Sequence, residues 1–190
     1  MAREQKLNLE VFKVVCKALS HSDDLTTMAE HFTQLLVGVL EIKGSTIFVL
    51  NPETKELEIL ASFGLSTAYL NKGPVMLDKG ICAFAAEEPI IIPDVSKDDR
   101  LAYPEEAKKE RIRSIVSVCI PFRDHIIGGL RLYHNQSWYI SEEDLSYLLL
   151  LAENLGLLIM FTRLVRTLES INQVMANVPK ELNFPFIQKE

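Results

Sequence analysis

Residues 114–134, SIVSVCIPFRDHIIGGLRLYH, constrain the fold more than any other stretch of the chain. They form two β-branched runs joined by the polar link Arg123-Asp124-His125. Val116, Val118, Ile120 and Phe122 fall on one face of the first run, and Ile115, Ser117, Cys119 and Pro121 on the other. In the second run Ile126, Leu130 and Leu132 share a face with Gly128 between them, opposite Ile127, Gly129, Arg131 and Tyr133. Alternation with a period of two around a short polar link is the signature of a β-hairpin. Each strand therefore has an oily face, expected to pack on helices, and a smaller mixed face left for loops or a ligand.

The rest of the chain supplies those helices. Apolar residues at Leu7, Val11, Val14, Val15 and Ala18 recur at helical spacing. A second helix, expected to be capped by Ser22 or Asp23, carries Leu25, Met28, Phe32, Leu35, Leu36 and Val39 as a stripe, with His31 beside it as a partly exposed helix residue. Gly44 opens a strand to Leu50, Asn51-Pro52-Glu53-Thr54 is turn chemistry, and residues 56–63 return antiparallel. Residues 64–75 read as loop, 81–86 as a short apolar helix, and Ile90-Ile91-Ile92 as a strand between prolines. Residues 94–113 form a polar, mixed-charge segment, read as a solvated helix or loop.

A last helix is predicted from Ser141 to about Ala176, with Ser141 and Asp144 in the positions of a capping box. Its first half, from Leu148 to Phe161, is apolar nearly all round and needs cover on both sides. One side can lie on the sheet; the other needs a helix from this chain or a second copy. Leu164, Leu168, Ile171 and Met175 continue a narrower 4-3-4 stripe, the spacing of a paired-helix seam. Pro179 and Pro185 end regular structure, leaving a loose tail.

Composition narrows function mainly by exclusion. The chain has 190 residues, 48% of them hydrophobic and 24% charged, enough for one domain with a substantial core. A net charge of −6 offers no basic surface for nucleic acid or an anionic membrane. The apolar run 145–161 is broken by Glu153 and Asn154, which reads as too short for a membrane span. The N-terminus is polar, unlike a secretory leader. Three well-separated cysteines, Cys16, Cys82 and Cys119, point to reduced thiols in a cytoplasmic protein. His21, His31, His125 and His134 are scattered, so no metal or haem cofactor is expected.

The order of elements, with Gly44-Ser45-Thr46-Ile47-Phe48-Val49-Leu50, Ile91-Ile92-Pro93-Asp94-Val95, Asp99-Arg100-Leu101, Ile127-Gly128-Gly129-Leu130-Arg131-Leu132 and Ile140-Ser141-Glu142-Glu143-Asp144, resembles a GAF domain. The resemblance implies an α+β, profilin-like fold. A central antiparallel sheet of about five to six strands would have the N- and C-terminal helices on one face and short helices and loops over the other. It implies an N-terminal helix at 1–24, read as a dimerisation element, and a GAF-like domain at 25–164. An extension of the last helix follows at 165–176, and then a loose tail at 177–190.

It also implies a non-catalytic, cytoplasmic sensory module that binds a small molecule and signals as a homodimer through its terminal helices. The implied pocket lies between the non-helical sheet face and the loops at 81–86 and 94–113. From the sheet and the polar loop its candidate ligand contacts are Phe48, Ser117, Cys119, Arg131, Asp94, Arg100 and Tyr103; from the 81–86 segment they are Cys82 and Phe84. Asp94 and Arg100 read equally as an ion pair anchoring their loop, Arg131 as a solvated sheet residue, and Phe84 and Tyr103 as core or lid packing.

Cyclic-nucleotide binding is disfavoured because the family's Asn-Lys-Phe-Asp-Glu signature is broken. Asn135 and Asp144 match, but Gln136, Ile140 and Leu145 stand in the other places. No cysteine precedes a histidine, as bilin attachment would want. Lys79-Gly80-Ile81-Cys82 resembles a cysteine position of the free-methionine-sulfoxide reductases, yet residues 94–113 hold no second thiol for that chemistry. A ligand-free dimerisation scaffold is the other alternative. No kinase, cyclase or DNA-binding signature follows the last helix, so a signalling partner in trans, or a longer parent chain, is expected.

Overall fold

The computed structural model describes residues 5–20, 24–76 and 88–177. Helices α1 (Leu9–Ser20) and α2 (Leu25–Leu40) lead into strands β1 (Gly44–Leu50) and β2 (Leu57–Phe63). The short helix α3 (Thr67–Leu70), strand β3 (Ile90–Ile92), a 3-10 turn at Val95–Lys97 and helix α4 (Pro104–Lys109) follow. Strands β4 (Ser114–Phe122) and β5 (His125–His134) form the central hairpin, and α5 (Glu142–Ala176) closes the fold. The five strands are antiparallel in the order β2-β1-β5-β4-β3. The expected helix at 81–86 and the tail from 178 lie outside the described residues.

The oily faces do what their period requires. Ile47, Val116, Val118, Ile120, Leu130 and Leu132 form one core with Phe32 and Leu36 of α2 and Leu148, Leu151, Leu155 and Ile159 of α5. Each such side chain removed from water stabilises the fold by roughly 1.5–3 kcal/mol. Helix α2 lies over β1 and β2, α5 lies over β4 and β5, and α1 packs against both helices. The opposite sheet face carries a smaller core: Ile92, Ile115 and Tyr133 from the strands, Tyr69 of α3, Ala107 of α4 and Ile112.

Several local expectations are revised. Asp24, not Ser22 or Asp23, caps α2; its carboxylate accepts the Thr27 N–H at 2.8 Å. The region 64–75 is not all loop, because Ser66 accepts the Tyr69 N–H and starts α3. His125 belongs to β5, leaving Arg123-Asp124 as the turn, with Arg123 at φ 52°. A bulge interrupts the hairpin register: Ile120 pairs with Gly128, but Pro121 pairs with Ile126. Pro121 has no N–H for the ladder, and the extra residue opposite it is Ile127. The alternation shifts there, so Ile127 packs against the helical core while Ile126 joins Cys119 and Pro121 in a groove at the strand end.

Helix α5 also has the length and composition of a membrane span, although Glu153 and Asn154 had argued against one. In this fold its face of Leu148, Leu151, Leu155 and Ile159 is fully buried in the core.

Candidate functional site

The floor of the candidate site is the non-helical face of β1, β5 and β4. Cross-strand partners point to the same side. Thr46, Arg131 and Ser117 are such partners and form a polar row across the three strands. Phe48, Gly129 and Cys119 form the next row, and Gly44, Tyr133 and Ile115 the row on the other side. The fold thus brings four of the proposed contacts, Phe48, Ser117, Cys119 and Arg131, onto one surface. Gly129 stands between Phe48 and Cys119 in that row. The Arg131 guanidinium carbon sits 5.2 Å from the centre of the Phe48 ring, a cation–π contact. Arg131 is only 9% exposed, so it is not the solvated outward arginine that an open sheet face would give.

A half-open cavity of about 180 Å³ stands on this floor. Ile115 and Arg131 form its base. Tyr69 and Lys72 of the α3 region and Pro74, Val75 and Met76 form one wall; Leu101, Ala102 and Tyr103, before α4, form the other. Tyr103 joins the walls, its hydroxyl donating to the Pro74 carbonyl at 2.8 Å. The crossing is tight: a Cβ at Gly73, which has φ +131°, would lie 2.6 Å from that hydroxyl oxygen. Only glycine meets both the backbone and the space requirement there.

The polar groups have distinct electrostatic states. Burial, with Tyr133 alongside, raises the Tyr69 phenol, so it stays a neutral hydrogen-bonding group. Tyr69 and Tyr133 meet edge to face at 5.9 Å. Burial, followed by the charge of Arg131, pulls the Lys72 amine down to about 8. That amine donates to the Tyr69 carbonyl at 3.2 Å and lies 4.1 Å from the centre of the Tyr69 ring. No sequence pattern marks Lys72 or Tyr69 as a site residue. A lone lysine after a four-residue helix carries no pattern, although Ser66-Thr67 is a recognisable helix start.

Asp94 and Arg100 do not pair with each other. Asp94 caps the 3-10 turn through the Ser96 N–H and binds Arg113 at 2.8 Å; Arg100 binds Asp98 at 2.6 Å. In a loop this short, Asp98 is two residues from Arg100, and the turn points Asp94 back toward the start of β4. Neither side chain lines the cavity. Cys119 lies in the separate groove near the hairpin turn. Cys82 and Phe84 lie outside the described residues. Cys16 is on α1, in the helical layer, its thiol pushed up by burial. Among the described residues no cluster of His, Cys, Asp or Glu has the makings of a metal site.

The sequence profile of the GAF domain matches residues 22–160. The chain belongs to the GAF domain family. No curated protein matches the sequence. Solved structures similar to this GAF domain include one from an Acinetobacter phosphoenolpyruvate-protein phosphotransferase. It is 19% identical, with a TM-score of 0.73 over 88% of this chain and 99% of that one. The GAF domain of a Coxiella burnetii phosphoenolpyruvate-protein phosphotransferase is 18% identical, with a TM-score of 0.76 over 84% and 96%. A free methionine-R-sulfoxide reductase from Neisseria meningitidis, solved with its substrate, is 18% identical, with a TM-score of 0.73 over 87% and 96%. At these identities the likeness is one of fold, and GAF folds serve both regulatory proteins and enzymes.

Proposed function

We propose that this GAF domain is a non-catalytic sensory module: a small molecule occupies the cavity above Arg131, and occupancy alters how the terminal helices pair with a second copy. The observation that carries the reading is the cavity itself, apolar on its walls, with Arg131 and Lys72 as its placed polar groups. That mixture is typical of small-molecule sites. The walls are short helices and loops joined by Tyr103 and Pro74, the kind of element that a ligand orders.

The output side is α5. Beyond its contact with the sheet it presents Phe161 (64% exposed), Leu164, Leu168, Ile171 and Met175 to solvent. This is an apolar stripe at the spacing of a helix pair, and a second copy supplies a matching stripe.

Thermal-shift screening against nucleotides, amino acids, 2-oxo acids and aromatic acids tests the ligand half. A sensor gives a saturable stabiliser, and a ligand-free scaffold gives none. Sedimentation at micromolar concentration tests the other half. A dimer that the double variant Leu164→Glu/Leu168→Glu converts to a folded monomer supports the pairing, and a wild-type monomer rules it out.

A further inference from the structure

We infer that α5 pairs with α5 of a second copy as a parallel, in-register, two-stranded coiled coil, in which Asn154 faces Asn154 of the partner subunit and fixes the register. This inference rests on the reading that α5 meets a second copy, and it adds the direction and alignment of that pairing.

The apolar seam starts well before Phe161. Leu150, Leu157, Leu164 and Ile171 recur every seven residues, and Asn154, Phe161, Leu168 and Met175 each follow four residues later. These are the d and a positions of a heptad repeat, carried along about 38 Å of helix. Its seven apolar members are between 44% and 68% exposed. They lie on the side of α5 opposite Leu148, Leu151, Leu155 and Ile159, which the core buries. Tyr147, one heptad before Asn154, packs on Phe12 of α1 with ring centres 6.2 Å apart, so the open seam starts at Leu150.

Charge avoids this seam. Between Leu157 and Met175 the charged residues are Arg163, Arg166 and Glu169, and none stands at a seam position or beside one. The flanking places hold Leu158, Met160, Val165, Thr167, Asn172 and Val174. Arg166 turns back to its own protomer and binds Asp24 at 2.9 Å. A helix with its charge gathered on one side keeps the other for a partner. A second copy brings the same stripe, and burying the seven side chains of both copies removes on the order of 1,200 Å² from water, the size of a specific interface.

Asn154 decides the direction. It is the one polar residue among the eight seam positions. Its amide donates to the Leu150 carbonyl of its own helix at 2.8 Å, and among the described residues no other element holds it. In a parallel pair in register, a positions face a positions, so the two Asn154 amides meet and can hydrogen-bond across the seam. In an antiparallel pair a positions face d positions, and every d residue here is Leu or Ile, which would bury each amide against an apolar side chain. A parallel pair shifted by one heptad sets Asn154 against Phe161 at the same cost. Leucine at three of the four d positions also suits two strands.

The test uses Leu157→Cys and Ile171→Cys, made singly in the full chain, oxidised with diamide and mapped by mass spectrometry of the linked peptides. The two positions are about 21 Å apart along the helix. The expected result is that each variant links to its own position in the second copy, and that a mixture of the two forms no link between position 157 of one and position 171 of the other. An antiparallel pair can bring identical residues together at one level at most, so a mixed link, or self-linking at only one position, overturns the inference while the pairing reading stands. The second measurement is independent of the cysteines. Asn154→Leu is expected to tighten association by about tenfold or more in sedimentation and to admit trimers or mixed registers. An Asn154→Leu protein with unchanged or weaker association overturns the role of Asn154. A wild-type chain that is monomeric at micromolar concentration, whether it stays in solution or partitions onto phosphatidylcholine vesicles, overturns both the inference and the pairing reading.

Discussion

The Asp144 carboxylate accepts the backbone N–H of Leu7 at 2.6 Å, tying the start of the last helix to a residue 137 positions earlier. The same oxygen accepts the Lys6 N–H at 3.0 Å. Ser141 performs its half of the capping arrangement, its hydroxyl accepting the Asp144 N–H at 3.0 Å. The carboxylate meanwhile docks the segment that precedes α1, and Leu7 is wholly buried. Asp144→Ala leaves two backbone donors unmatched, a loss of roughly 1–3 kcal/mol. Urea unfolding is expected to show that loss, and amide exchange to show α1 losing protection before the sheet does. Asp144→Asn keeps an acceptor oxygen and is expected to lose less. Equal stability of Asp144→Ala and wild type would remove this tie from the account.

Two helical glycines should respond to alanine in opposite directions. A Cβ at Gly156 would lie 1.9 Å from the Pro121 carbonyl oxygen, so the glycine sets how closely α5 approaches β4. Alanine gains about 1 kcal/mol of helix propensity there but must push helix and strand apart. We expect Gly156→Ala to destabilise by about 1–3 kcal/mol net. At Gly38 in α2 a Cβ meets nothing within 4 Å, so Gly38→Ala is expected to stabilise by about 0.5–1 kcal/mol. Denaturant midpoints of the two variants moving the same way would contradict the packing described.

The polar loop contributes an acid-sensitive element. The Ser96 hydroxyl first, and then Arg113, hold the Asp94 carboxyl at about 2, below its ordinary 3.8. A depressed carboxyl stabilises the fold above its unfolded value, and that contribution disappears as pH falls through the folded one. Asp94→Asn is therefore expected to be less stable than wild type at pH 6 and to approach wild type near pH 2. Urea midpoints at pH 6, 4 and 2.5 check this, and a difference constant across the series would exclude the linkage.

The strands and long helices were legible because their physics is periodic. Val116, Val118 and Ile120 could face only one way once the sheet had an oily side, and the Leu148-to-Ile159 face of α5 had to be covered. What escaped notice depends on single contacts. The bulge at Pro121 exchanges Ile126 for Ile127, and nothing in the alternation announces it. Asp94 and Arg100 are six residues apart and opposite in charge, yet each finds a nearer partner once the 3-10 turn forms. The sheet register placed Ser117 beside Arg131, which the two strand patterns already implied. Lys72 entered the site only through the path of the chain after α3.

Lys72 gives a signature in stability that requires no ligand. Its amine lies at about 8 in the folded protein against an ordinary 10.5, with burial the larger cause and Arg131 the second. Between those values the unfolded chain holds a proton that the folded chain has released, so this group makes the fold more stable as pH rises from 8 toward 10.5. Below pH 8 both states are protonated, and the folded state carries the whole penalty of a half-buried ammonium beside a guanidinium. Lys72→Met removes that penalty while keeping the apolar stem. It is therefore expected to exceed wild type in urea midpoint at pH 7, with the advantage shrinking steadily to pH 10. Comparing the two proteins at each pH cancels every other titrating group. An advantage that stays constant with pH would mean the amine is not destabilised where it sits, and a Lys72→Met protein less stable at pH 7 would mean its charge is favourably paired.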